Sequence, residues 1–205
     1  MHLIKLHLLT LTLVLTGFLI GCATAPQPAG PVSAEQQKRL LAQDHWHITG
    51  KLGYRGATDG GSAWLDWRQR GQIFNLSLHG PFGAGATQIL GTDSGATLLR
   101  SGKEPIFADS ATSLTDYLFG WQWPVDELLF WIRGIPAPRA PVDSASYDDR
   151  QLLTGLQQSG WRLQFSNHLR TTEGLVVPGK ITGHFRQVSF TLVIKEWQPL
   201  EEADG

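Results

Sequence analysis

Along most of the chain after residue 45, hydrophobic residues alternate with polar ones, which is the pattern of β-strands with one buried face. In the first such stretch Trp46, Ile48, Leu52 and Tyr54 fall on the same side. The same alternation predicts strands at residues 63–68, 74–79, 87–91, 96–100, 105–108, 161–166, 179–187 and 188–197. Gly, Asp and Ser residues separate many of these stretches, so hairpins and an antiparallel sheet are predicted.

The middle of the chain changes to a helical pattern. Two helices are predicted at residues 112–119 and 125–132, with Gly120 ending the first and Pro124 opening the second. The second helix is apolar on nearly all sides, so it requires cover on more than one face. A shorter helix is predicted before the first strand, ending at about Asp44.

The N-terminus has the features of a secretory signal. A nearly uncharged run at residues 6–20 follows Lys5 and is shorter than the roughly 20 residues of a bilayer crossing. The run ends in Leu-Ile-Gly-Cys at residues 19–22, which resembles the lipobox of bacterial lipoproteins and implies lipidation of Cys22. Ala23, where an aspartate would imply retention in the inner membrane, favours the outer membrane. An ordinary cleavage site beside a chance cysteine, or a membrane anchor, is the alternative.

These features divide the chain into four parts. Residues 1–21 are predicted to be a lipoprotein signal peptide, and residues 22–33 a lipidated N-terminus and a flexible, Pro- and Ala-rich tether. Residues 34–200 are long enough to form a single domain with a core. Residues 201–205 form an acidic tail.

The composition narrows the possible functions. A formal net charge of −1 argues against electrostatic binding of nucleic acid. Cys22 is the only cysteine, so the chain has neither an internal disulfide nor a second thiol to share a metal. Eight Trp and nine Phe against one Met provide much rigid apolar surface, either for a core or for a ligand.

The sequence lacks the common catalytic motifs. It contains no G-x-S-x-G, no H-E-x-x-H and no phosphate-binding loop of the right spacing. His45 and His47 share one side of a strand and could hold a metal, but two ordinary surface histidines explain them better. Asp148, Asp149 and Arg150 indicate a solvated turn. We therefore expect a protein that is not an enzyme and needs neither a cofactor nor a metal.

A large aromatic residue occupies the turn after the third strand. Phe82 stands between Pro81 and Gly83, where small or polar residues are the rule. The side chain either packs back onto the rim of the sheet or is exposed to something apolar. The inward faces of the strands also allow two interpretations. Their apolar side chains could form a packed core or line a dry ligand cavity.

Three stretches, in their order along the chain, resemble the LolB family of outer-membrane lipoproteins. They are the lipobox, SAWLDWRQRGQIFNLSLHGPFGAG at residues 62–85 and LLFWIRGIPAP at residues 128–138, and the similarity covers about residues 46–197. It implies a mainly β (α+β) fold, an incomplete antiparallel β-barrel wrapped over a few short helices, with an internal apolar cavity. The family often has Leu where this chain has Phe82, and both side chains are large and apolar.

The resemblance also implies a function and a site. It implies a monomeric acceptor, lipid-anchored through Cys22 on the periplasmic face of the outer membrane. The acceptor would take acylated lipoproteins from a LolA-like periplasmic carrier and insert them among outer-membrane lipids. Phe82, with Pro81 and Gly83, would enter the membrane. The implied acyl-cavity lining is Leu52, Tyr54, Leu65, Trp67, Phe74, Leu76, Leu78, Leu118, Leu129 and Ile132. The alternative is a structural or protein-binding envelope lipoprotein without an acyl cavity.

Overall fold

The computed structural model describes residues 34–80 and 85–200. The helices are α1 (Ala34–Ala42), α2 (Ala111–Phe119) and α3 (Val125–Trp131). The strands are β1 (His45–Arg55), β2 (Gly60–Arg70), β3 (Ile73–His79), β4 (Thr87–Thr92), β5 (Gly95–Arg100), β6 (Ile106–Ala108), β7 (Val142–Tyr147), β8 (Leu153–Gln158), β9 (Trp161–Ser166), β10 (Leu169–Arg170), β11 (Val176–Val177), β12 (Lys180–Phe185) and β13 (Val188–Pro199).

One large antiparallel sheet dominates the fold. Its 11 strands run in the order β6-β5-β4-β3-β2-β1-β13-β12-β9-β8-β7, and β10 pairs with β11 in a separate ribbon. A long ladder joins the first and last strands, with Trp46 opposite Pro199 and Arg55 opposite Ser189. In the described residues the edge strands β6 and β7 do not pair with each other, so the sheet is open. This confirms the predicted mainly β fold and its incomplete barrel.

The alternating pattern located most strands correctly, but β7 and β8 were not predicted. The side chains of β7 are nearly all exposed, because it is an edge strand. The sequence of β7 therefore does not alternate between hydrophobic and polar residues. In β8 one inward position holds a glutamine, Gln158, which interrupts the apolar stripe. The short ribbon of β10 and β11 was also not predicted.

The two middle helices cover the concave face of the sheet, and local sequence signals set both ends of α2. Ser110 caps α2, since its Oγ accepts a hydrogen bond from the Ser113 backbone N–H at 3.1 Å. Gly120 ends the same helix at a φ of 70°, as the sequence predicts. Leu114 of α2 and Leu128 of α3 are buried in the same core cluster as the inward residues of the strands. The core therefore lies between the sheet and these helices.

Candidate functional site

The predicted acyl-cavity residues lie together on the concave side of the sheet and on the helices that face it. All but Tyr54 belong to, or pack against, one hydrophobic core cluster. Leu76, Trp67 and Ile132 are 0 % exposed. Residues of the sheet and of the two middle helices thus pack against each other where the predicted lining lies. A role of these residues in lining an acyl site stays a prediction.

A small apolar hollow interrupts this packing. It is lined by Leu52, Tyr54, Trp121 and Trp123, and it is too narrow to admit a water molecule. The first two residues lie in the half of β1 nearest the β1–β2 turn, and the two tryptophans belong to the connection between α2 and α3. Sequence reasoning did not single out the tryptophans. The signal was present, because residues 120–124 read Gly-Trp-Gln-Trp-Pro between a helix end and a helix start.

Aromatic rings extend from this hollow across the sheet. Trp121 and Trp161 have ring centroids 5.9 Å apart, and those of Trp123 and Phe190 are 6.0 Å apart. Trp161 and Phe190 complete the set, with centroids 5.3 Å apart. Flat aromatic surfaces therefore join the connection between the helices to the sheet. Such surfaces can separate and close again without leaving charges unpaired.

A second aromatic group lies where β1, β2, β3 and β13 meet. Trp46 packs between Trp197 and Trp67 at centroid distances of 5.1 and 5.5 Å, and Phe74 lies 5.8 Å from Trp67. The indole N–H of Trp67 donates to Gln69 Oε1 at 3.1 Å. This group gives a structural reason for Trp67 and Phe74 in residues 62–85.

A larger cleft of about 830 Å³ opens at the ends of β1 to β5 opposite the β3–β4 connection. Its apolar lining includes Phe74 and Leu129, which the sequence assigned to the acyl site. Its charged lining consists of four carboxylates and two guanidinium groups, from Asp44, Asp93, Asp126, Glu127, Arg133 and Arg139. Acyl chains there would displace water from ionised groups, at a high cost in free energy. The cleft is thus a poorer acyl site than the hollow.

Arg133, the polar residue of the W-I-x-G motif, joins α1 to the core. It is 5 % exposed, and its Nη1 donates to the backbone oxygens of Leu40, Leu41 and Gln43 at 3.1–3.2 Å. These carbonyls lie at the C-terminal end of α1 and just beyond it, where backbone oxygens lack partners within the helix. Burial lowers the pKa of Arg133 to about 10, a shift that nearby Asp44 opposes. Arg133 remains charged at neutral pH and stabilises the junction between α1 and β1.

Gln158 fixes the extended loop that follows the same motif. Its Oε1 accepts hydrogen bonds from the indole N–H of Trp131 and the backbone N–H of Ala137, both at 2.9 Å. Its Nε2 donates to the backbone oxygens of Ala137 and Ala140, both at 2.8 Å. Gln158 is 0 % exposed, so these partners depend on it.

The remaining candidates are ordinary polar contacts. His47 Nε2 lies 3.0 Å from Asp66 Oδ2, and Arg68 Nη1 lies 3.1 Å from the other oxygen of that carboxylate. Among the described residues, no group of three side chains is placed to hold a metal ion. Asp148 accepts from the backbone N–H groups of Arg150 and Leu152, as expected of a solvated turn.

Two predicted sites lie outside the described residues, as does the acidic tail. They are the lipidation site Cys22 and the turn of Pro81, Phe82 and Gly83, so their roles stay predictions. In the part of the chain that is described, no helix is long and apolar enough to cross a membrane.

Comparison with known families decides the classification. The family model for outer membrane lipoprotein LolB matches residues 44–197, which span the sheet and its helices. The chain belongs to the LolB family. Outer-membrane lipoprotein LolB of Cellvibrio japonicus is 38 % identical over 192 residues, covering 92 % of this chain and 95 % of that protein. The LolB of Stutzerimonas stutzeri is 36 % identical over 165 residues, covering 80 % and 79 %.

Comparison of folds agrees with this classification. A LolA superfamily protein from Nitrosomonas europaea matches with a TM-score of 0.53 at 9 % identity, over 83 % of this chain and 93 % of that one. At such low identity the match bears on the fold alone, and it supports the incomplete barrel. Membership of the LolB family confirms the predicted outer-membrane location with a lipid anchor. It also favours a lipoprotein acceptor over a purely structural envelope protein.

Proposed function

We propose that the domain accepts lipoproteins from a LolA-like carrier by binding their acyl chains between the sheet and the α2–α3 connection, and then releases them into the outer membrane. The observation that carries the proposal is the hollow of Leu52, Tyr54, Trp121 and Trp123. It is a gap between aromatic and aliphatic side chains, at which the connection between the helices meets β1. Acyl chains would enter there by separating the two tryptophans from β1.

The packed state supplies a reason for release. Burying a methylene group contributes about 0.8 kcal/mol in either the protein or the bilayer. The protein must also lose part of the contact between its helices and sheet to make room. An acyl chain is therefore held less tightly in this domain than in a membrane, and delivery proceeds without a chemical step. The first step, from the carrier to this domain, proceeds because the domain holds the acyl chain more tightly than the carrier does.

Tyr54→Glu tests the location of the acyl site. The change places a carboxylate in the apolar hollow, so binding of an acylated peptide is expected to fall at least about tenfold, because desolvating an unpaired charge costs well over 1.4 kcal/mol. Binding is measured by competition against an apolar fluorescent probe. Tyr54 is only half-buried, so the loss of stability is expected to be smaller than the loss of binding.

Tyr147→Glu is the matched control for this experiment. Tyr147 is also half-buried, but it lies on the edge strand β7. Its replacement should affect thermal stability to a similar degree and leave peptide binding unchanged. If the two variants bind the acylated peptide equally well, the acyl site does not lie at the hollow.

Lipidation of Cys22 is expected from the lipobox and from the family. Mass spectrometry of the protein isolated from membranes should find the chain beginning at Cys22 with a diacylglycerol on the thiol and an acyl group on its amino terminus. These chains hold the protein on the membrane, since one acyl chain alone gives only reversible binding. An unmodified Cys22 would contradict the proposed anchor.

A further inference from the structure

An exposed tryptophan lies on the convex face of the sheet. Trp64 of β2 is 53 % exposed, whereas the neighbouring inward residues Leu65 and Trp67 are 2 % and 0 % exposed. Its ring lies 5.8 Å from the Nζ of Lys51, its partner residue on β1. On the other side it pairs with His79, the last residue of β3. The indole ring and the adjacent ammonium group thus present an apolar surface and a positive charge together on this face.

Further basic side chains lie on the strands beside Trp64. Lys51 is aligned with Val193 of β13, which is aligned with Lys180 of β12. Arg55, at the end of β1, is aligned in the same way with Ser189 and His184. Lys51, Arg55, Trp64, Lys180 and His184 are here called the convex patch. The other convex positions between them hold no charged side chain, and they are Gly53, Ser62, Thr182, Ser189, Thr191 and Val193.

Carboxylates near the convex patch do not balance its charge. Asp66 lies two residues along β2 from Trp64 and is already engaged by Arg68 and His47. Asp59 belongs to the β1–β2 turn beyond Arg55. Glu196 of β13 lies opposite Thr49, in the row next to Lys51, and it is adjacent to the exposed Lys195, so this pair adds no net charge. The patch therefore has three permanent cations around an exposed indole over four adjacent strands, which span about 14 Å.

We propose that the convex patch lies against an anionic phospholipid surface, with Trp64 at the headgroup level and the cations on lipid phosphates. Tryptophan prefers this interface because its ring is amphipathic, and each Lys or Arg near an anionic surface adds attraction. The inference rests on the proposed function, which requires the domain to approach the membrane. It adds the face that approaches and the class of lipid. His79 ends three residues before Phe82, so the patch borders the predicted membrane loop.

Quenching by brominated lipid tests this orientation. The lipidated wild-type protein is reconstituted into vesicles of brominated phosphatidylcholine, with or without phosphatidylglycerol, and tryptophan fluorescence is recorded. All eight tryptophans lie in the described residues, and Trp64 is the one that is more than half exposed. Quenching is expected to increase with phosphatidylglycerol, and Trp64→Phe should remove most of that increase.

Charge variants test the role of the cations. Lys51→Gln with Arg55→Gln is expected to lower the ratio of docked to undocked protein about 25-fold, or about fivefold for each cation. The control is Lys38→Gln with Arg139→Gln, which removes the same charge from α1 and from the cleft and should change quenching little. Ile73→Ala is the control for apolar bulk, since Ile73 is 61 % exposed at the opposite end of β3.

Three outcomes would overturn the inference. The first is equal quenching in zwitterionic and anionic vesicles, and the second is an equal loss in the control variants. The third is that Lys51→Gln with Arg55→Gln is quenched like the wild type but takes up cargo from the carrier more slowly. That result would assign the convex patch to a protein partner. Binding of acylated peptide in solution keeps the two proposals apart. A protein that binds peptide but does not dock refutes only the patch, whereas one that docks without binding peptide refutes only the proposed function.

Discussion

Replacing Gln158 with leucine is expected to lower the free energy of unfolding by about 3–5 kcal/mol, because each buried hydrogen-bonding group left without a partner costs about 1–3 kcal/mol. The change removes every partner that the side chain supplies to Trp131, Ala137 and Ala140. Leucine has a similar volume, so the loss measures hydrogen bonds rather than a cavity. For a domain of this size the melting temperature should fall by about 2–4 °C for each kcal/mol. Calorimetry or chemical denaturation measures the effect.

The adjacent residue supplies the control. Gln157 is exposed on the same strand, and Gln157→Leu should change the stability by less than about 0.5 kcal/mol. A loss below about 1 kcal/mol for Gln158→Leu would mean that water from the neighbouring cleft replaces the lost partners. In that case the glutamine would not fix the loop after the W-I-R-G-I-P stretch.

Gln158 also shows where the sequence stops predicting the fold. From the sequence alone, a buried glutamine cannot be told from an exposed one. Its partners belong to a loop about 20 residues earlier in the chain. The strand that contains it therefore lacks the alternation that located its neighbours. The long ladder of β1 and β13, by contrast, was predictable strand by strand. Its inward side chains, such as Ile48 and Leu192, are nearly all apolar.

The candidate site was predictable only in part, and for a similar reason. Alternation identifies which side chains point inward, and Leu65 and Leu76 do so. It does not specify whether a ligand or a helix covers them, because both present the same apolar surface. The hollow depends on Trp121 and Trp123, which approach β1 from a connection without periodicity. Their position follows from the packing of α2 and α3, which a local pattern does not encode.

Phe82→Glu is expected to abolish most delivery to the membrane while leaving uptake from the carrier largely intact. Fully burying a phenylalanine contributes about 1.5–3 kcal/mol, so its loss alone reduces insertion about 10- to 150-fold. The carboxylate adds a further penalty at the hydrocarbon boundary. The proposed acyl site is unchanged, because β3 ends at His79 and the hollow lies on β1. Cargo transfer is measured in two stages, from carrier to this protein and from this protein to liposomes.

Phe82→Leu is the control, and it should deliver cargo like the wild type because the site requires only apolar bulk. The melting temperature separates the two possible positions of the side chain. A side chain exposed between Pro81 and Gly83 contributes little to folding, so Phe82→Glu should melt close to the wild type. A side chain packed on the rim of the sheet would instead lose its contacts and lower the melting temperature. Unfolding of Phe82→Glu, or delivery at the wild-type rate, would therefore show that Phe82 is part of the rim and not a membrane probe.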